Sequence, residues 1–489
     1  MKVKSMKRNY IYNLVLTIVN MIFPLVTAPY LSFVLGAENI GKVNYATSVV
    51  TWFTLFAAFG IPRYGIREIA RNRNDRKKLS TSFWNLLLIQ GILSIVSIGV
   101  YLLIILNISI FKEDLALYAM MIITIVLNIF SIDWFYQGIE EYGYIAIRNL
   151  LLKIISIILI FVMIKEREHY LVYAFINVFG LSFNNVLNYL NTKKYIDKKI
   201  YEFKLWHYVK ELKIYFMTTL IIALYTQLDQ TFLGTISQRD LAYYIRSKTL
   251  LGVGTNVVNS LITVFIPRTA YLAENNYEEY KTIVQKSINY IYLLGLPCFI
   301  GLMFLAKEAT LLLGGQEFLP AMYSLQVISI ITLVTCIGAW QVQQILLPHK
   351  QEKLAFNIQF MSAILSVVLN IILIPKFSYM GAAIAWVITE TFLVIVEGIF
   401  IKVKIKTIDI KYLNHSFIKY TVATGVMAIS LAFIKLLISN YIIVILASLI
   451  ISPVVYFGII MVLKDEIVMQ VLVQLKSKFI KRNKIVIER

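Results

Sequence analysis

Long, almost uninterrupted runs of apolar residues recur along the whole of this chain. An α-helix needs about 20 apolar residues to cross the hydrocarbon core of a bilayer. Backbone N–H and C=O groups find no water there, so runs of this length are predicted to be helices. The sequence therefore predicts an all-α membrane protein of about 14 transmembrane helices, near residues 10–35, 43–62, 80–106, 115–136, 146–164, 170–190, 213–235, 243–266, 284–306, 320–347, 354–374, 379–401, 417–438 and 441–463.

The composition agrees with a bilayer and excludes several other classes of protein. Hydrophobic residues make up 59% of the chain and charged residues only 15%, whereas a soluble domain carries about a quarter charged. Cys298 and Cys336 both lie in apolar runs, so the sequence predicts no disulfide framework. The four histidines lie in separate loops and show no metal-ligand spacing, so no metal site is predicted.

The distribution of basic residues predicts the orientation of the chain. With a cytoplasmic N-terminus, 37 of the 47 Lys and Arg residues fall in or beside cytoplasmic segments. Because cytoplasmic loops carry an excess of Lys and Arg, both termini are predicted to be cytoplasmic. The net charge of +20 is thus a topology signal, and we expect no nucleic acid partner.

Every connection between the predicted helices is short. The longest predicted outward connection, 307–319, is too short for a folded domain, and no phosphate-binding loop of the form G-x-x-x-x-G-K-[ST] is present. We therefore expect a transporter driven by a gradient or by its ligand, and not an enzyme.

A weak internal repeat predicts two lobes. Residues 61–63 (Ile-Pro-Arg) recur at 266–268, and Trp134 has a counterpart in Trp340 at nearly the same offset. Six helices per repeat preserve orientation, which predicts two parallel six-helix bundles with a ligand path between them. The predicted domains are an N-terminal lobe (1–200, helices 1–6), a C-terminal lobe (201–416, helices 7–12), and helices 13–14 with a basic amphipathic cytoplasmic tail (417–489).

Several stretches resemble a known family. Residues 133–138 (Asp-Trp-Phe-Tyr-Gln-Gly) and 147–149 (Ile-Arg-Asn) resemble the fourth and fifth helices of bacterial polysaccharide flippases of the Wzx type. Residues 370–376 (Asn-Ile-Ile-Leu-Ile-Pro-Lys), with 381–383 (Gly-Ala-Ala), resemble their eleventh-to-twelfth helix junction, and residues 228–234 resemble their seventh helix. The resemblance extends over essentially the whole chain.

This resemblance implies the multidrug/oligosaccharidyl-lipid/polysaccharide exporter fold, two six-helix lobes around a central cavity. It also implies a function in the bacterial cytoplasmic membrane, where undecaprenyl-pyrophosphate-linked oligosaccharides are turned from the inner to the outer leaflet for capsule or O-antigen synthesis. A polysaccharide polymerase and a chain-length regulator are the protein partners that it suggests. Membrane lipid is the surrounding partner.

A diphosphate crossing the bilayer needs cations, and ionisable residues inside a membrane are functional candidates. Candidate aromatic contacts for the sugars are Tyr243, Tyr244 and Trp134. For some of the cations the alternative is a side chain that only reaches towards the inner interface. The candidate diphosphate ligands are Arg63, Arg148, Lys153, Arg246 and Lys248.

Acidic and proline residues supply two further hypotheses. Asp229, Asn370 and Glu390 lie on predicted neighbouring helices and could bind a coupling ion, Na⁺ or H⁺; a buried ion pair or a helix contact is the alternative. Pro24 and Pro29 interrupt the hydrogen bonding of the first helix, which predicts a hinge or a static kink. No other cofactor is expected.

Two other functions within the same fold stay open. A peptidoglycan-precursor flippase would share the lipid-linked substrate, and a drug/cation antiporter would favour an acidic cavity over a cationic one. A polymerase would need a sizeable outward loop with catalytic residues, which this sequence lacks.

Overall fold

The structure is a computed structural model that describes residues 6–199, 201–405, 408–470 and 473. Short 3₁₀ helices span Arg167–His169, Thr192–Lys194 and Gln316–Phe318, a π-helical turn spans Gln341–Leu346, and these described residues contain no strand. The α-helices are α1 (Met6–Ala58), α2 (Ile61–Asn72), α3 (Arg76–Asn107), α4 (Ser109–Lys112), α5 (Leu115–Asn128), α6 (Asp133–Gly138), α7 (Tyr142–Met163), α8 (Tyr170–Asn191), α9 (Leu205–Thr226), α10 (Leu228–Ile236), α11 (Gln238–Asn275), α12 (Tyr277–Phe304), α13 (Ala306–Gly314), α14 (Ala321–Ile328), α15 (Ile331–Trp340), α16 (Glu352–Lys404), α17 (His415–Leu437) and α18 (Tyr441–Val462).

Eleven helical stretches of the described chain are long and apolar enough to cross a membrane. This number differs from the predicted fourteen for identifiable reasons. α1 and α16 are 53 residues each, about 80 Å at the usual rise per residue and more than twice the bilayer core. The predicted seventh span, 213–235, is interrupted at Gln227 between α9 and α10, and α9 carries Lys210, Glu211 and Lys213. The chain is a multi-pass membrane protein, and a count of fourteen stays a prediction.

Each 53-residue helix contains one residue with a non-helical backbone. Gly36 in α1 has φ 73° and ψ 173°, a conformation that costs glycine little because it has no Cβ. Ser378 in α16 has φ 48°, and its hydroxyl donates to a carboxylate oxygen of Asp240. Pro24 and Pro29 lie within α1 on the N-terminal side of Gly36. The backbone break of α1 is therefore at the glycine, and a hinge at the prolines stays a prediction.

Helix packing divides the described chain into two compact units. The first comprises Met1–Arg246, Leu313–Phe318 and Gln359–Ala385, and the second comprises Ser247–Leu312, Leu319–Ile358 and Trp386–Arg489. These boundaries differ from the predicted lobe boundaries, because segments of the second half of the sequence pack with the first half. The repeat and its lobes stay predictions.

Each unit has an aromatic core. In the first unit Phe83, Trp134 and Phe135 are buried together. In the second unit Trp340 is completely buried and donates from Nε1 to Ser287 Oγ at 2.7 Å. The predicted repeat partners Trp134 and Trp340 thus both lie in cores.

Large apolar side chains also cover the outside of the helices. Leu436 on α17 and Val462 on α18 are 82% and 76% exposed, and dozens of similar residues accompany them. An apolar surface of this extent is unfavourable in water and suits lipid. Most of the predicted amphipathic tail, residues 471–472 and 474–489, lies outside the described residues.

Candidate functional site

Arg246 is the most completely buried of the candidate cations after Arg148. Its side chain is 7% exposed in the first unit, in the third turn of α11. Nη2 donates to Ser32 Oγ at 2.5 Å, and the guanidinium carbon lies 4.8 Å from the centre of the Phe318 ring. Buried Nε has no hydrogen-bond partner among the described residues, and no described carboxylate forms an ion pair with the guanidinium. Arg246 is therefore a buried cation with unused hydrogen-bonding capacity.

Lys153 faces a cavity inside the first unit. This cavity has a volume of about 80 Å³ and is lined by residues of α1, α7 and α8, among them Ser156, Tyr173 and Asn177. Lys153 Nζ lies 4.8 Å from the centre of the Phe23 ring, a cation–π contact. The cavity thus offers an ammonium group together with hydroxyl and amide groups, which suits a polar or anionic occupant.

Arg148 is buried and fully engaged by polar neighbours. Nη2 lies 3.0 Å from Asp133 Oδ1 and forms an ion pair with it. Nη2 also donates to Asn149 Oδ1 at 2.8 Å, and Nη1 donates to Asn188 Oδ1. Asn188 Nδ2 in turn donates to Asp133 Oδ1 at 2.7 Å. Arg148 therefore forms a structural ion pair, and its guanidinium keeps fewer N–H donors for a diphosphate.

The remaining two candidate cations lie in different surroundings. Arg63 is exposed in the first turn of α2. Lys248 belongs to the second unit, where Nζ lies 4.6 Å from the centre of the Trp386 ring. The two residues therefore lie in different units, and no common site is described for them.

The candidate aromatic residues are all buried. Tyr243 accepts a hydrogen bond from Arg239 Nε at 2.8 Å. Tyr244 donates from its hydroxyl to Asp229 Oδ2 at 2.6 Å. Trp134 is 2% exposed and packs so closely on Gly65 that a Cβ there would lie 2.6 Å from the indole. None of the three rings presents an open face to a sugar in this conformation.

The candidate ion-coupling residues are divided between the units. Asp229 and Asn370 belong to the first unit and Glu390 to the second. Besides Tyr244, Asp229 accepts the Gln230 N–H at 2.8 Å through Oδ1. Buried Asn370 Oδ1 has no hydrogen-bond partner in the described part of the chain. No group of three His, Cys, Asp or Glu residues able to hold a metal ion occurs among the described residues.

Glu317 is a polar residue that sequence reasoning overlooked. Its carboxylate accepts the backbone N–H of Ala37 at 2.9 Å across 280 residues of sequence. The local signal was the Gly-Gly pair that precedes it in a predicted outward connection. A contact between residues so far apart in the sequence cannot be predicted from a local motif.

Comparison with known proteins places these features in a family. The polysaccharide biosynthesis protein family matches residues 6–273, more than half of the chain. The putative O-antigen transporter of Escherichia coli (strain K12) is 22% identical over 79% of this chain and 94% of its own length. The probable low-salt glycan biosynthesis flippase Agl15 of Haloferax volcanii is 29% identical over 25% of this chain and 26% of its own length.

The fold is also found among solved structures. A lipid II flippase MurJ structure in an inward closed conformation superposes with a TM-score of 0.71, covering 93% of this chain and all of that one at 16% identity. At this identity the likeness concerns the fold alone, and it agrees with the all-helical exporter fold that the resemblance implies. With the family match over residues 6–273, the chain belongs to the polysaccharide biosynthesis protein family, the Wzx-type flippases of the exporter superfamily, and is a transporter of that family and not an enzyme.

Proposed function

We propose that this protein moves lipid-linked oligosaccharide repeat units across the cytoplasmic membrane. The substrate is an undecaprenyl-pyrophosphate-linked oligosaccharide, turned from the inner to the outer leaflet for capsule or another surface polysaccharide. The observation that carries this proposal is Arg246, a buried cation on a membrane-spanning helix without a carboxylate partner among the described residues. A cation held in this way is costly in a bilayer unless an anion uses it.

A diphosphate is an anion that suits the unused hydrogen-bond donors of Arg246. Arg binds phosphate oxygens through several N–H groups in a fixed plane. Arg246 has an unpartnered Nε and a single hydrogen bond from Nη2, so its planar edge keeps donors for such an anion. Lys153, whose cavity holds no carboxylate among its lining residues, adds a second cation in the same unit.

The names of the relatives support the glycan part of the substrate. One relative is named a putative O-antigen transporter and another a glycan biosynthesis flippase. A lipid-linked glycan agrees with both names, and its diphosphate suits a cationic site in the membrane. A polysaccharide polymerase would then consume the product at the outer leaflet, with a chain-length regulator beside it.

Alternating access is the mechanism that we propose, with both termini in the cytoplasm. Two lobes, 1–200 and 201–416, would expose a central cavity first inwards and then outwards. Na⁺ or H⁺ binding at Asp229, Asn370 or Glu390 would drive this cycle, since the chain has no phosphate-binding loop for ATP.

A peptidoglycan-precursor flippase is the second candidate. The likeness to a lipid II flippase, with a TM-score of 0.71, favours it at the level of the fold. In both candidate functions the substrate is a lipid diphosphate, and the two substrates differ in the attached sugar. A drug/cation antiporter is the third candidate, and the unpaired cation Arg246 disfavours it because a cationic drug would be repelled.

The test is a leaflet-resolved assay in proteoliposomes. Purified protein is reconstituted with undecaprenyl-diphosphate oligosaccharides and, in parallel, with the peptidoglycan precursor. Protein-dependent loss of the oligosaccharide lipid from its starting leaflet supports the proposal, provided that Arg246→Ala lowers its rate at least tenfold. Movement of the peptidoglycan precursor alone would establish the second candidate, and no movement of either lipid would contradict both.

A further inference from the structure

Four connections that the sequence predicts to face outwards come together within the first unit. They lie near Gly36, Arg167, Gln238 and Glu317. Residues 313–318 pack with this unit although the residues on either side of them belong to the second unit. This six-residue segment therefore contacts the first half of the sequence at one end of the unit.

Glu317 makes the defining contact. Oε1 accepts the N–H of Ala37 at 2.9 Å, directly after the backbone break at Gly36, so the carboxylate caps the helix that restarts there. A carboxylate at this position satisfies an otherwise unpaired N–H and interacts favourably with the helix dipole. Arg167 Nη2 lies 4.0 Å from Oε2, and Arg167 O accepts a hydrogen bond from Asn39 at 2.8 Å.

The rest of the segment is packed beneath this cap. Ser32 Oγ donates to Leu313 O at 3.1 Å. Phe318 is completely buried, with the Arg246 guanidinium 4.8 Å from its ring centre. Gly314 packs so closely on Phe318 that a Cβ would overlap that side chain, and Gly315 has φ 67°. Two glycines thus allow the tight turn that brings Glu317 to Ala37.

The neighbouring helices approach each other closely at the same end, with a glycine at each contact. A Cβ added at Gly41 would overlap the carbonyl oxygen of Gln238, the first residue of α11. A Cβ at Gly234 would overlap the ring of Tyr45 in the same way. Close approach of this kind leaves no passage for a lipid headgroup between these helices, so this end of the unit is closed in the described conformation.

We propose that residues 313–318 form a latch over the outer end of the transport path and that the Glu317 carboxylate holds it shut on Ala37. Release of this hydrogen bond accompanies each opening to the outside. The latch rests on the proposed function, because alternating access requires that the outer end open. Glu317 is a positioning residue, since it holds the backbone and does not contact the substrate.

Cysteine labelling tests the latch without any glycan. In a background with Cys298→Ala and Cys336→Ala, Ala37→Cys is a reporter that keeps the backbone N–H and is completely buried in the closed conformation. Intact cells are treated with a membrane-impermeant maleimide and the labelling rate is measured. A helix cap is worth about 1 kcal/mol, so Glu317→Ala is expected to raise the rate roughly fivefold.

Matched controls separate the cap from charge and from side-chain loss. Glu38→Gln removes the same charge from an exposed neighbour of Ala37, and Gln316→Ala shortens an exposed side chain within the latch. Both variants should label at the original rate. Gly41→Ala, which forces a Cβ against Gln238, should raise the rate independently of Glu317, whereas Gly99→Ala, with open space around it, should not.

The outcomes are distinguishable from those of the transport assay. Unchanged labelling in Glu317→Ala, with normal amounts of protein in the membrane, would overturn the latch whatever Gly41→Ala does and even if glycan transport were observed. Labelling that needs a membrane-permeant reagent would overturn its outer position. Faster labelling in both variants would support the latch even if the proteoliposome assay found no glycan movement.

Discussion

Arg246 Nη2 donates a hydrogen bond to Ser32 Oγ at 2.5 Å and so joins α11 to α1 within the first unit. This hydroxyl also donates to Leu313 O, so a candidate substrate ligand and the proposed latch share one serine. An anion that binds Arg246 would compete with Ser32 for Nη2. Substrate binding and latch release would then be coupled through that hydroxyl.

Arg246→Ala should lower lipid-linked glycan transport at least tenfold. Hydrogen bonds to charged groups contribute about 1.5–3 kcal/mol, which corresponds to roughly 10- to 100-fold. The measurement is initial flipping rate in proteoliposomes at matched protein content. Arg246→Lys should retain part of the rate, because a point charge replaces the planar donor set.

Arg268→Ala is the control for this prediction. Arg268 is exposed and pairs with Glu279 at 2.7 Å, so its removal should change the rate less than about twofold. Equal losses in the two alanine variants would contradict a specific role for Arg246.

The Arg148–Asp133 pair predicts an asymmetry in stability. Asp133→Ala leaves Arg148, which is 4% exposed, without its carboxylate, and should cost about 3 kcal/mol. Arg148→Ala leaves Asp133, which is 42% exposed and can be hydrated, and should cost about 1 kcal/mol. Thermal unfolding of both variants in detergent measures the order, and a larger loss in Arg148→Ala would refute the assignment.

Substitutions at Asp229 and Tyr244 distinguish ion coupling from a purely structural contact. If Asp229 binds a coupling cation, Asp229→Asn should remove the dependence of transport on a Na⁺ or pH gradient, because the neutral amide keeps the shape and loses the charge. Tyr244→Phe removes the 2.6 Å hydrogen bond and should retain gradient dependence while lowering stability. Gradient dependence that survives in Asp229→Asn would assign this residue to helix packing.

The connection after α8 predicts a pH response outside the membrane. Asp197 accepts hydrogen bonds from Tyr201 at 2.9 Å and Arg76 at 2.8 Å, and these hold the pKa of its carboxyl below the ordinary value of 3.8. Its backbone N–H donates to Ser80 Oγ at 2.9 Å. A lowered pKa in the folded state means that docking is present above the ordinary pKa and is lost as the pH falls through the folded value.

Trypsin digestion of inside-out vesicles measures this docking. Cleavage at the lysines of residues 193–199, measured relative to that of an unstructured lysine peptide at the same pH, should stay constant from about pH 8 to about pH 5, because Asp197 remains ionised over that range. Asp197→Asn should raise cleavage at neutral pH, whereas Asp409→Asn, in another connection, is the matched control and should leave it unchanged. Unchanged cleavage in Asp197→Asn would show that the backbone contacts alone dock the connection.

The sequence identified the charged residues of the candidate site, but it did not show which of them are paired with a carboxylate. Arg148 and Arg246 look alike in sequence, since each is a basic residue in or beside an apolar run. The structure gives Arg148 a carboxylate 15 residues away and gives Arg246 a serine 214 residues away. The sequence suggests Tyr243, Tyr244 and Trp134 as sugar contacts because of their aromatic rings, whereas packing buries all three side chains.

The break in α1 shows the same limit. Proline is a strong local signal of a kinked helix, and α1 contains Pro24 and Pro29. The non-helical residue is Gly36, where a carboxylate from residue 317 meets the following N–H. A distant contact therefore stabilises a break that local propensity does not locate.

Local sequence was enough to establish that this protein is helical, lies in a membrane and belongs to a family of flippases, because apolar run length, charge distribution and short motifs are local properties. Packing in three dimensions settled which buried charges are paired, which glycines permit close helix contact, and where Glu317 binds. Most of these features depend on contacts between residues far apart in the sequence, such as Glu317 and Ala37 or Arg246 and Ser32, which chain folding brings together and local composition does not encode.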